Sequence, residues 1–428
     1  MTPHRVILSA AVPLYLSMVA TMAGGLVMVS TLGRYATATL AAFALVGAVS
    51  TPASAAVAGA TRGLMPFLAP VRDAPDAAVL ILRDARWLAV SVGAAGAIAV
   101  TCVPAIARLG GVPGEVVGEL GIYPFLAGLS VLVMALASGA NSALIALGHN
   151  RQVLWSGLVS TVVIVALTAA LVPWLGLAGA GAAQVLSACA GAAVSNICLC
   201  RVPLLKGYSL RPGRPRAKEI LALARVGIPL AGTLLIKFAV LGVVAFTATR
   251  LGSGDGAVHS ILTSLIGFIM VASIAVAQAS VPVVARAADA PEARRAVRTA
   301  LLIAVAGASA GAAVLVLSGD GMITMFTDDA AVADRVLALL PLMLLSAMAD
   351  ACQAVMGFGL TALKRSSASL VYFVILYGLL ALAAFPVAAV AGLTGLWITL
   401  IVTNLLLTTA QGSGFLRYSA MVRSSAVP

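Results

Sequence analysis

The sequence predicts an all-α integral membrane protein, with twelve transmembrane helices in two six-helix lobes related by a parallel internal repeat. Three observations predict it. Of 428 residues, 62% are hydrophobic and 9% are charged, whereas ordinary soluble domains are about 25% charged. The apolar runs reach the roughly 20 residues that cross a bilayer as a helix, and none shows the ~10-residue alternation of a barrel strand. Lipid offers the backbone no hydrogen bonds, so helices are the remaining way to span it. The third observation is a set of short motifs that recur at one constant spacing.

The first half places spans at 8–32, 38–66, 87–107, 120–147, 153–173 and 177–200. The second half places them at 221–249, 257–285, 299–318, 335–361, 368–390 and 393–416. With a cytoplasmic N-terminus, 21 of the 26 Lys and Arg residues fall on inner segments, Arg423 among them. Arg34, Arg108, Arg250 and Arg335 fall on outer loops, and Lys237 lies inside a span. This positive-inside bias predicts cytoplasmic N- and C-termini and a multi-pass place in the cell membrane. The Ala-rich, Lys-poor composition fits a bacterial inner membrane. The first run outlasts the about 7–15 apolar residues of a signal peptide and is read as a retained span.

The halves repeat without a gap. "AVPL" at 11–14 pairs with "GIPL" at 227–230, Arg34 with Arg250, "LIAL" at 144–147 with "LTAL" at 360–363, and "GLAG" at 176–179 with "GLTG" at 392–395, all 216 residues apart. Six spans per half leave both copies in the same orientation, so the repeat is parallel, an arrangement found in transporters whose two lobes flank a shared cleft. The expected organisation is an N-terminal lobe over 1–200, a basic linker over 201–218 and a C-terminal lobe over 219–428. The linker, "CRVPLLKGYSLRPGRPRAKE", reads as a flexible cytoplasmic segment able to touch anionic lipid heads.

The net charge of +12 follows this topology and does not point to a nucleic-acid partner. The five cysteines lie in or beside apolar runs, and Cys198 and Cys200 are too close for a zinc CxxC, so no metal or other cofactor is expected. Walker A, kinase-type and HExxH motifs are absent, and three histidines placed as these are build no Ser/His/Asp set, which argues against an enzyme. Asp320, Asp328, Asp329 and Asp334 read as solvated outer-face acids. A monomer is expected.

Two charges lie deep within the spans: Lys237 in the seventh and Asp350 in the tenth. A charge at that depth costs roughly 2.5–3.5 kcal/mol on insertion scales. Their counterparts in the first half are Thr21 and Met134, so one lobe carries the charge. The pattern admits a structural salt bridge, or groups facing the cleft that change partner, proton or ligand during transport. His259, near the outer end of the eighth span, either titrates near neutrality or plays an interfacial structural part. Gln353, three residues past Asp350, shares its helix face and either binds substrate or bonds another helix. Gln184, Asn196, Gln278, Asn404 and Gln411 read as interhelical hydrogen-bonding residues.

At the level of motifs the chain resembles the multidrug and toxic compound extrusion (MATE) family. The matching stretches are "GLVMVSTLGRYATATLAA" in the first repeat, then "GIPLAGTLLIKF" and "AVAQASVPV". They continue with "FTDD" at 326–329, "DACQAV" at 350–355, "YGLLALAAFP" at 377–386 and "GLTGLWITL" at 392–400. The resemblance implies export of organic compounds coupled to re-entry of Na⁺ or H⁺. It also marks departures. The acid that the family commonly carries after "GLV" in the first span is Met28 here. The glutamate many bacterial members keep eight residues after the seventh-span proline is Lys237. The tenth-span aspartate is retained as Asp350, with Gln353 in its usual place.

The expected function is therefore secondary-active export of a small organic compound, a drug or natural product, by alternating access, with H⁺ favoured over Na⁺ as the coupling ion. The expected substrate and coupling residues are Lys237, Asp350, Gln353 and His259. The alternatives are a flippase for a lipid-linked or amphipathic substrate, and a non-transporting membrane protein that has lost its coupling residues.

Overall fold

A computed structural model describes residues 3–318 and 326–421. Asp320 and Arg423, read above as an outer acid and an inner base, lie outside the described residues. The first half contains α1 (Pro3–Tyr35), α2 (Thr37–Arg62), α3 (Met65–Leu68), α4 (Pro75–Thr101), α5 (Val103–Leu109), α6 (Gly114–Glu119), α7 (Tyr123–Ala146) and α8 (Asn150–Cys200). The second contains α9 (Ala217–Leu251), α10 (Ser253–Ala285), α11 (Ala290–Ser318), α12 (Ala330–Ala362) and α13 (Ser366–Ser419).

Among the described residues nine helices are long and apolar enough to cross a membrane, and α4 with α5, bent by 43°, makes a tenth. The 51 residues of α8 and 54 of α13 are too long for one crossing each. Run straight, such helices would reach roughly 75–80 Å, over twice the ~30 Å hydrocarbon core. Each is broken at a glycine, Gly176 (φ 55, ψ −127) and Gly392 (φ 59, ψ −152), a backbone state open to glycine and strained for other residues. The chain folds back there. In α8, Ser156 meets Ser195 at 2.6 Å, and in α13 the Tyr377 hydroxyl donates to Asn404 at 2.9 Å. Counting both hairpins as two spans gives the twelve helices expected.

The internal repeat is visible in the backbone. α1 and α9 end at Tyr35 and Leu251, α2 and α10 begin at Thr37 and Ser253, α7 and α12 end at Ala146 and Ala362, and α8 and α13 begin at Asn150 and Ser366. The two glycine breaks are separated by the same 216 residues. So are Gly148 (φ 85) and Lys364 (φ 58), the one non-glycine residue with positive φ among those described.

Helix ends differ from the expected spans where charged residues continue an apolar helix. α4 begins at Pro75 rather than 87 and carries Arg83, Asp84 and Arg86, while α11 begins at Ala290 and carries Glu292, Arg294, Arg295 and Arg298. Polar side chains do not interrupt backbone hydrogen bonding once the helix has left the hydrocarbon. The "FTDD" motif also has a local role. Asp329 caps α12, its carboxylate accepting from the backbone N–H of Ala331 (2.9 Å) and Val332 (3.3 Å).

The chain divides into two compact units, one of Val12–Leu235 and one of Met1–Ala11 with Ile236–Pro428, so α1 and α9 contribute residues to both. The second is organised around buried Val244, Val258, Leu262, Val336, Met343 and Tyr377. Apolar side chains such as Leu382 and Val390 stand outward, the disposition expected of helices solvated by lipid.

The linker corrects one expectation. It is held along α4. Arg83 donates to the carbonyl of Ser209 (2.7 Å), Arg86 to the carbonyl of Leu210, and the Trp87 indole to the carbonyl of Gly213 (3.0 Å). Arg216 pairs with Asp84, whose side chain is 4% exposed. Leu205 and Leu210 of the linker are buried. Pro and Gly content predicted flexibility because the partners lie over a hundred residues upstream.

Candidate functional site

The deep lysine has a partner. Lys237 on α9 donates from Nζ to Asp350 Oδ1 on α12, with 22% and 10% of the two side chains exposed. Both come from the same compact unit. Leaving either alone in the apolar interior would be strongly unfavourable, and pairing removes most of that penalty.

The pair forms part of the wall of an open-sided cavity of about 440 Å³. His259 and Thr263 of α10, Tyr377, Trp397 and Asn404 of α13, and the apolar side chains of Leu241 and Leu400 also line it. Lys237 and Asp350 are the only formally charged groups among these lining residues. The polar groups are largely committed to their own helices or to each other. Thr263 donates to the carbonyl of His259 at 2.7 Å, and Tyr377 to Asn404 as above. His259 is buried, its ring 5.5 Å from that of Trp397, and neither its Nδ1 nor the Trp397 indole N–H has a hydrogen-bond partner among the described residues.

The structure brings three of the four expected residues, Lys237, Asp350 and His259, to one cavity. Gln353 is placed elsewhere. It is buried, its Nε2 donating to Gln411 at 3.2 Å, and Gln411 donates in turn to Ser369 at 2.8 Å, a chain that ties α12 to both halves of α13. Sequence reading missed Tyr377 and Trp397 and took Asn404 for an interhelical bond alone. Tyr377 and Trp397 sit in quoted motifs and Asn404 just beyond one, but an aromatic or amide in an Ala/Leu-rich helix gives no sign of the face it occupies.

Met28 is 2% exposed and packs with Leu32, Val172, Ala180 and Ala183. Gln184 donates to its sulfur at 3.4 Å and to the Tyr123 hydroxyl at 3.3 Å. No carboxylate belongs to this cluster, and among the described residues no group of His, Cys, Asp and Glu could hold a metal ion.

A multi-pass bundle of two sequence-related halves, with an intramembrane ion pair at a cavity wall, has the build of a membrane transporter. Comparison with known proteins makes the class specific. The MatE family matches residues 229–387. A probable multidrug resistance protein NorM of Aromatoleum aromaticum is 26% identical over 346 residues, covering 78% of this chain and 74% of that one. A MATE protein solved in a bent conformation superposes with a TM-score of 0.86 at 18% identity, covering 100% and 98% of the two chains. A MOP superfamily transporter from Pyrococcus furiosus, described as having a binding pocket of reverse polarity that suggests a different function, superposes at 0.87 with 17% identity, covering 99% and 97%. The resemblance drawn from the motifs is borne out: the MatE family model matches residues 229–387, and the whole chain has the fold of the solved MATE proteins.

Proposed function

We propose that the chain is a secondary-active exporter of small organic compounds, working by alternating access as a monomer in a bacterial plasma membrane, with both termini cytoplasmic and with H⁺ rather than Na⁺ as the coupling ion. The observation that carries this reading is the Lys237–Asp350 pair at the cavity wall. Asp350 is the one carboxylate among the lining residues, and it already holds a tethered cation. A sodium ion would have to displace that ammonium and leave it unpaired. A proton needs only to neutralise Asp350, after which Lys237 is released and the wall changes its charge arrangement. A flippase for lipid-linked substrates is less well supported, because Lys237 is the single cation lining the cavity among the described residues, where phosphate heads call for several.

The test is a toxicity panel in an efflux-deficient bacterial host, comparing wild type with Asp350→Asn and Lys237→Ala at matched membrane expression. Protection by wild type and its loss in both variants supports the reading. Protection retained by both variants removes the pair from the mechanism. In everted vesicles, export driven by a sodium gradient at constant pH would overturn the proton assignment.

A further inference from the structure

We infer that the arginines gathered where α11 begins and α13 ends form a docking surface for the phosphate head of an anionic membrane lipid. The inference rests on the membrane fold alone and is independent of what the chain transports. Three observations carry it.

The first is positive charge without acid. Arg294 on α11 donates from Nε to Ser419 Oγ (3.1 Å) and from Nη2 to the carbonyl of Leu416 (3.0 Å), and the Arg365 guanidinium lies 4.9 Å from the ring centre of Tyr418. These contacts draw the start of α11 and both ends of α13 together within one compact unit, and Arg295, Arg298 and Arg417 lie on the same segments. None of these five arginines belongs to an ion pair among the described residues. The nearby acids serve the backbone: Glu292 accepts from the N–H of Ala288 (2.7 Å) and Asp289 from that of Glu292 (2.8 Å). Arg295, Arg298 and Arg417 are exposed and donate no side-chain hydrogen bond among the described residues. A guanidinium offers a planar fork of donors that matches phosphate oxygens.

The second is the apolar surface that continues from the charge. Arg294, Arg298 and Leu302 follow one another at intervals of four, which places them on one face of α11. On α13 the spacing of Leu406, Ser413 and Arg417 likewise keeps one face. Leu302, Leu406 and Leu416 are each more than half exposed. A phosphate held by the arginines leaves its acyl chains lying along these leucines, which a free phosphate does not need and a lipid does. The third is the contrast with the first half. α11 stands 216 residues from α4, at the equivalent place in the repeat. On α4 the chain itself meets the charges: Arg83 and Arg86 donate to linker carbonyls and Asp84 takes Arg216. Among the described residues no such strand of chain lies against Arg295 and Arg298, and a lipid head supplies the acceptors that the linker supplies to α4.

The experiment uses the purified, delipidated full-length chain in a neutral detergent. Phosphatidylglycerol and phosphatidylcholine with identical acyl chains are added in turn, and bound lipid is counted by native mass spectrometry. The expected result is phosphatidylglycerol binding about tenfold or more tighter, with the gap narrowing as salt is raised. The triple variant Arg295→Gln, Arg298→Gln and Arg417→Gln should lose that preference. A control triple variant, Arg201→Gln, Arg211→Gln and Arg214→Gln, removes the same charge from the other half's inner segments and should keep it. All six side chains are exposed, so both variants are expected to fold. Arg298→Gln alone should lower the preference severalfold, which keeps the test decisive should the triple variant aggregate. The inference is overturned if wild type binds phosphatidylcholine as tightly, if the arginine variants keep the preference, or if the control loses it equally. It is also overturned if inorganic phosphate raises the melting temperature as much as phosphatidylglycerol does, since the site would then take a free anion. No transport assay enters the test, so failure of the exporter reading would leave this result standing, and the reverse.

Discussion

Lys237 and Asp350, 113 residues apart on α9 and α12, meet in a charge-assisted hydrogen bond inside one compact unit. Removing one partner should be far worse than removing both. Lys237→Ala leaves an unpaired buried carboxylate and is expected to lower stability by about 3–5 kcal/mol. The double variant Lys237→Met with Asp350→Asn should recover most of that loss. Thermal unfolding in detergent, run as a double-mutant cycle, checks this. Additive losses would mean that the groups do not interact.

The glycine breaks make a second, graded expectation. At Gly392 an added Cβ meets nothing within 4 Å, so Gly392→Ala costs backbone strain alone, about 1–3 kcal/mol. At Gly176 a Cβ would also lie 3.1 Å from the ring of Tyr35, so Gly176→Ala should be the more damaging. Melting temperatures of the two variants in the same detergent decide the order. A reversed order would show that the Tyr35 contact yields freely.

Lys364 occupies with positive φ the position where the first repeat has Gly148. An L-residue there is strained by roughly 1–2 kcal/mol, so Lys364→Gly should exceed Lys364→Ala in stability by about that amount. The alanine variant is the proper reference, because it also removes the side chain while keeping the Cβ. Equal melting temperatures would remove the strain argument.

Arg216→Ala should loosen the linker without touching the cavity. Asp84 would lose its ion-pair partner, and Arg211 and Arg214, now close to chain held along α4, would become better trypsin sites. Limited proteolysis of wild type and variant in parallel measures it. Unchanged cleavage between 201 and 216 would show that the carbonyl contacts of Arg83, Arg86 and Trp87 suffice.

What could be read in advance was whatever the physics of lipid writes locally. A bilayer demands long apolar runs, and basic residues sort to one side, so twelve spans and the duplication stood in the sequence. Lys237 and Asp350 stood out because charge is rare at that depth, and Met28 because it interrupts a family pattern. The rest depends on which helix faces which. Nothing near Gln353 announces that Gln411 will take its amide hydrogen, and nothing near Tyr377 announces Asn404 across the hairpin. The linker misled for the same reason, since its anchors Arg83, Asp84, Arg86 and Trp87 look like an ordinary charged helix end.

The division of α1 and α9 between the two units has a bearing on biosynthesis. Val12–Leu235 is one uninterrupted stretch, so every residue of that unit is synthesised before Lys237 is added. The other unit draws on the opening residues up to Ala11 and on everything after Ile236. It closes only when the last helices arrive, and the beginning of the chain must wait for its end. Nascent chains fold from the N-terminus as domains emerge. A nascent chain that has emerged through Leu235 thus has one unit ready to assemble, while the first turns of α1 still lack their partners.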